Sequence, residues 1–239
     1  MARVVSGIAG FDELVGGGFI PNSTILVCGP PGSGKSNFAL NFLFYGAAIG
    51  EKCMYLSLEE SKDRVIENAQ RVFGRMDWNA VLDKNLLVES VGHEVVRDLP
   101  RILKDLIRDS GVKRLVIDSV TVLRVLNKSE TEYRESLFQI VELVHSLGCT
   151  TLMISEKSFS DRDKAEFTLE EFVADGVIIM YAIPKGELRY KALEVLKMRG
   201  IDHKTKLCPF KITDAGIIVY PVESVFWMEG EMTTDRKRK

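Results

Sequence analysis

The residues Gly29-Pro30-Pro31-Gly32-Ser33-Gly34-Lys35-Ser36 have the types and spacing of a phosphate-binding loop, G-x-x-x-x-G-K-[ST]. Glycines let the backbone curl until successive N–H groups face one anion. A helix that starts directly after such a loop adds its unpaired N–H groups and the positive end of its dipole. Lys35 is then expected to reach the β- and γ-phosphates of a nucleotide, and Ser36 to place its hydroxyl on Mg²⁺. The expected nucleotide-binding set is Pro31, Gly32, Ser33, Gly34, Lys35, Ser36 and Asn37.

Three further sites carry carboxylates or cations where such chemistry would use them. Glu59-Glu60 follows the apolar run 52–58. In open α/β sheets ligands bind beyond the carboxyl ends of the strands, so these acids either activate the attacking water or cap the helix expected over 62–73. Asp118 ends the apolar run 114–118, the form of a carboxylate that holds Mg²⁺. Lys197 and Arg199, two apart on an extended segment, share one face.

The elements that must position these residues are legible as hydrophobic periodicity. Runs at 24–28, 52–58, 86–89, 114–118, 149–155 and 176–181 have the length of buried strands. Helical spacing recurs over 37–45, 62–73, 97–109 and 132–147. A returning strand at 188–195 and a hairpin of 210–213 with 217–220 around Asp214-Ala215-Gly216 close the chain. Strands alternating with helices, then hairpins, predict an α/β fold with a mostly parallel central sheet, flanking helices and a C-terminal antiparallel extension. Residues 1–22 read as a lead-in that ends in a glycine-rich turn, 23–222 as the core and 223–239 as a polar tail. Residues 157–164 read as a polar, charged loop.

With 239 residues, 46% hydrophobic and 28% charged, the chain has the balance of a folded domain with a substantial core. The net charge of −2 gives no global attraction to nucleic acid or membrane. Cys28, Cys53, Cys149 and Cys208 have no C-x-x-C spacing and are expected as buried thiols. No apolar run approaches a membrane span of about 20 residues, and the N-terminus lacks a signal-peptide h-region. The cytoplasm is the expected compartment.

Taken together, the chain resembles the RecA superfamily of phosphate-loop NTPases, and within it the KaiC-like ATPases. The likeness runs from about residue 5 to residue 220. It rests on Ser6-Gly7-Ile8 with Phe11-Asp12-Glu13-Leu14 and Gly16-Gly17-Gly18, on the phosphate loop and on Glu59-Glu60. Its most specific stretch is Leu196-Lys197-Met198-Arg199-Gly200, followed by Ile212-Thr213-Asp214 and Gly216-Ile217. The resemblance implies ATP (with ADP as product) as the nucleotide and Mg²⁺ as cofactor. It implies a homo-oligomeric, six-membered ring in which Lys197 and Arg199 reach the γ-phosphate held by the neighbouring subunit, with Glu59 or Glu60 as the catalytic carboxylate. KaiC itself has two such domains in tandem, and this chain has one. Where the self-phosphorylating half of KaiC carries a Ser-Thr pair just before a strand, the corresponding stretch here reads Glu170-Glu171-Phe172-Val173-Ala174-Asp175, so the resemblance is to the hydrolysing half and argues against a phosphorylation cycle. Two other readings remain open: a nucleotide-gated module that binds a protein partner with negligible hydrolysis, and a DNA-repair accessory. The mixed-sign loop 157–164 and the overall charge speak against nucleic acid.

Overall fold

The computed structural model describes residues 2–92, 96–108, 110–157 and 168–223. Asp109, the rest of the expected charged loop after Lys157, and the tail from residue 224 lie outside the described residues. The described elements, in chain order, are β1 (Thr24–Gly29), α1 (Lys35–Ala48), β2 (Cys53–Ser57), α2 (Lys62–Val72), α3 (Trp78–Val81), β3 (Leu86–Ser90), α4 (Leu99–Arg108) and β4 (Arg114–Asp118). They continue as α5 (Thr121–Leu126), α6 (Glu130–Ser146), β5 (Thr150–Glu156), α7 (Leu169–Val173), β6 (Gly176–Lys185), β7 (Leu188–Met198), β8 (Cys208–Thr213) and β9 (Gly216–Val219).

The strands form one sheet in the order β3-β2-β4-β5-β1-β6-β7-β8-β9. From β3 to β6 every pairing is parallel; β7, β8 and β9 are added antiparallel. The central parallel strands are apolar through their middles because both faces are covered there, while polar residues gather at their ends. In β1, Ile25 and Val27 enter the core beneath α1, while Leu26 and Cys28 enter the core beneath α4 and α6. The four cysteines are buried free thiols, as their isolated spacing implies. Among the described residues no helix is long and apolar enough to cross a membrane.

The structure departs from the periodicity reading mainly at element ends. Helix α6 begins at Glu130, ahead of its apolar stripe, because Ser129 caps it: the Glu132 amide donates to Ser129 Oγ at 3.2 Å. A 3₁₀ turn, Val96–Asp98, precedes α4. The short helices α3, α5 and α7 have too few residues to show a helical period. The lead-in packs against the core. Phe11 and Phe19 are fully buried, and their rings meet Phe38 and Phe42 of α1 at 5.1 and 5.7 Å.

Candidate nucleotide and metal site

The site lies where β1, β2, β4 and β5 all end, on one edge of the sheet. Register sets this: Ser57 of β2 pairs with Asp118 of β4, Asp118 with Ile154 of β5, and Gly29 of β1 with Glu156 of β5. Residues that follow these positions converge on a cleft of about 410 Å³ lined by the phosphate loop, Glu59, Glu60, Asp118 and Glu156.

The loop takes the shape that its glycines permit. Gly32 and Gly34 have φ of +75° and +106°, values that side-chain-bearing residues rarely adopt. Gly34 is the N-cap of α1 and offers no side chain to the helix's first amides. Those amides are left for an anion. Lys35 folds back over the loop, its Nζ donating to the carbonyls of Gly29 at 2.9 Å and Pro30 at 3.1 Å. Burial pushes its ammonium below the usual lysine range, partly offset by the nearby Glu156 and Asp118 carboxylates. A phosphate at the loop would favour the charged form of this ammonium.

Ser36 and Asp118, 82 residues apart, meet: Ser36 Oγ donates to Asp118 Oδ2 at 2.7 Å. A hydroxyl and a carboxylate are hard oxygen donors, the kind Mg²⁺ accepts alongside phosphate oxygens and water. The pair fits that ion. Burial raises the Asp118 carboxyl, and hydrogen bonds from Tyr55 and Ser36 pull it back down.

The two acids after β2 diverge in their contacts. Glu59 accepts the hydroxyl of Ser119, the residue after Asp118, and so stands beside the metal pair. Glu60 faces the cleft from the start of α2, near Asn68 at 3.5 Å and Arg64 at 3.9 Å. Both line the cleft, but the N-cap of α2 is Ser61, so neither acid occupies the cap itself.

Lys197 and Arg199 are not brought to this cleft. Lys197 pairs with Val177, which pairs with Leu26, three residues before the end of β1. That is about 10 Å short of the strand's end and two strands, about another 10 Å, to the side. Strand β7 ends at Met198, so Arg199 lies just beyond it, yet the two side chains converge: Lys197 Nζ donates to the carbonyls of Glu171 (3.0 Å), Phe172 (3.3 Å) and Ala174 (2.6 Å). Arg199 donates to the Phe172 carbonyl at 3.1 Å and to Asp175 at 3.2 Å. Both cations therefore gather at the C-terminal end of α7, where the carbonyls and the helix dipole favour positive charge. Beside them the Phe172 side chain is 63% exposed.

Several site residues escape a sequence reading. Glu156 ends an apolar run as Asp118 does, and that was its available signal. Tyr55 reads as an ordinary strand aromatic, yet its hydroxyl donates to Asp118 Oδ2. Lys191 is visible only through the fold. The β6–β7 hairpin continues past the end of β1, and Lys191, opposite Ala182, donates to the Gly32 carbonyl.

Comparison with known proteins bears on the family and the fold. The family model described as "ATPase: KaiC" matches residues 4–224. A UPF0273 protein of Thermotoga maritima is 34% identical across 92% of this chain and 97% of its own. The circadian clock oscillator protein KaiC of Acaryochloris marina is 32% identical across 93% of this chain but only 44% of its own. The crystal structure of a KaiC-like protein of Pyrococcus horikoshii superposes with a TM-score of 0.81 at 31% identity, covering 92% of this chain and 99% of that one.

Proposed function

The chain belongs to the KaiC family of ATPases, and from that premise we propose that it is an Mg²⁺-dependent ATP hydrolase that works as a homo-oligomeric ring with its sites at subunit interfaces. The observation that carries the hydrolase reading is the convergence of Lys35, the Ser36–Asp118 pair and the Glu59-Glu60 acids on one cleft beyond the strand ends. The loop amides and Lys35 grip the β- and γ-phosphates, and Lys191 adds a second cation over the loop. Ser36 and Asp118 would hold Mg²⁺, which would supply neutralisation of the charge on the β- and γ-phosphates. Glu60, or its neighbour Glu59, orients the attacking water and takes its proton. Sharing the roles between two acids suits their different anchors: Glu59 is tied to the metal side through Ser119, and Glu60 opens toward the cleft.

What remains is charge stabilisation at the γ-phosphate. Lys197 and Arg199 lie too far from their own cleft to supply it, yet they share one exposed corner beside Phe172. That placement supports delivery to a neighbour's nucleotide, as a finger acting in trans. Loss of such a finger costs about 10³–10⁵ in rate.

Subunit mixing tests the whole reading. Lys35→Ala is expected to abolish nucleotide binding. Arg199→Ala is expected to keep binding and lose turnover. Neither variant should release phosphate alone, while a mixture should recover part of the parent's rate, because an intact loop then meets an intact finger. Turnover by Arg199→Ala equal to the parent's would remove the trans finger.

A further inference from the structure

We propose that Tyr55 is a positioning residue of the metal site, its phenol fixing the Asp118 carboxylate so that the Ser36–Asp118 pair presents a preformed seat for a divalent cation. This inference rests on the nucleotide-and-metal reading of the cleft and adds to it a residue that the phosphate-loop signature does not contain.

Tyr55 lies in the middle of β2 and is 3% exposed. Its ring belongs to the core beneath α1, with Val27, Val116 and Ile154. Register pairs Tyr55 with Val116 and Ser57 with Asp118, so all four side chains lie on one face of the sheet. The tyrosine ring rises from the core toward the strand ends, and its hydroxyl meets Asp118 Oδ2 from below.

A phenylalanine would fill the same space. A hydroxyl taken into a core costs free energy unless it is bonded, and the partner of this one is the carboxylate oxygen that Ser36 also reaches at 2.7 Å. Asp118 is thus held from two sides. Ser36, on the first turn of α1, approaches from the phosphate loop. Tyr55 approaches from the rigid interior of the sheet. Ser36 Oγ has a lone pair left for a cation while it donates to Asp118, but its hydroxyl is placed by the loop, whereas Tyr55 is a second donor anchored in the sheet that sets the carboxylate's direction. Partners of this kind behind a metal-binding carboxylate are typically worth 10–100-fold in metal affinity.

The experiment uses Mn²⁺ as the probe cation and ADP as the nucleotide, with free Mn²⁺ followed by electron paramagnetic resonance. Tyr55→Phe keeps the ring and its packing and leaves Asp118 its bond from Ser36. Tyr133→Phe is the matched control: it too removes a buried phenol that donates to a carboxylate, that of Glu170, but away from the cleft. The expected result is Mn²⁺ binding to the ADP complex about 10–100-fold weaker in Tyr55→Phe and unchanged in Tyr133→Phe. ADP affinity in the presence of a chelator should be the same in all three proteins. Equal Mn²⁺ affinity in Tyr55→Phe and the parent overturns the proposal and leaves the site reading standing. So does an equal loss in both variants, which would mean general loosening. A parent that binds ADP without any Mn²⁺ overturns the proposal together with the metal reading beneath it.

Discussion

Asp118 shows what the site costs the chain that carries it. Its carboxyl is raised by burial, and the bonds from Tyr55 and Ser36 offset that only in part. The folded chain therefore holds this proton more tightly than the unfolded chain. Stability falls as pH rises from the ordinary carboxylate range through the raised value. Asp118→Asn removes that penalty. In the absence of metal and nucleotide it is expected to be more stable than the parent at pH 7 by on the order of 1 kcal/mol. The gain should fade as pH drops toward about 4, where the parent's carboxyl is also protonated. Thermal melts across that range, with and without Mg²⁺·ADP, check both signs, because the same variant should lose the stabilisation that Mg²⁺ adds to the nucleotide complex. Lys35, Ser36, Glu59 and Asp118 were all legible as residues, since each sits at a position that strand-then-loop geometry makes special. Tyr55 was not, because one tyrosine in an apolar run carries no sign of where its hydroxyl ends.

At the scale of elements, α1 is placed by a buried arginine. Arg114, the first residue of β4, is 1% exposed, and its guanidinium pairs with Glu51 at 2.5 Å. It donates to the carbonyls of Val5 at 2.9 Å and Phe42 at 3.1 Å and lies 4.7 Å from the centre of the Phe42 ring. It thus ties the lead-in and the helix that carries Lys35 and Ser36 to the sheet. Gly46 makes room: a Cβ there would stand 2.4 Å from Arg114 Nε. Gly46→Ala should gain up to about 1 kcal/mol in helix propensity. The clash is expected to outweigh it and leave a net loss of about 1–3 kcal/mol, read as a lower midpoint in urea unfolding. Combined with Arg114→Met, the alanine should cost less than it does alone, since the flexible thioether can yield. The long helices and core strands could be traced from periodicity alone. Helix α7 could not, though it matters more than its five residues suggest. Glu171 on it accepts from Lys157 at 2.7 Å and from the Thr168 amide at 2.7 Å, and its terminal carbonyls hold Lys197 and Arg199. A capping box, Thr168 with Glu171, fixes its start, and that spacing was present in the sequence.

At the scale of the whole molecule, the sheet separates the phosphate-loop cleft from the corner that holds Lys197 and Arg199. The phosphate loop and the acids stand beyond the strand ends, and Lys197 and Arg199 stand away from them at the end of α7; under the proposed function those cations serve a neighbouring copy. Light scattering with Mg²⁺ and ATP, with ADP or with neither should find a ring of about six in the ATP sample, with phosphate released from it. A ring that forms and releases nothing would favour a nucleotide-gated switch. A monomer under all three conditions would leave Lys197 and Arg199 with no phosphate to meet, and the trans arrangement would fall.

The sequence by itself determined the fold class and marked out the phosphate loop, because these depend on local spacing: eight residues of a turn, the period of a strand, the acid at its end; the family came from a resemblance whose most specific stretch is Leu196-Lys197-Met198-Arg199-Gly200. Tertiary structure decided everything that depends on register between distant strands. It set Ser36 against Asp118, swung Lys191 over Gly32, placed Tyr55 beneath the Ser36–Asp118 pair and put Lys197 and Arg199 out of reach of their own cleft. The reason is physical. Backbone periodicity is written in neighbouring residues, whereas the meeting of side chains tens of residues apart is fixed by which strands pair and by how far each runs past the next.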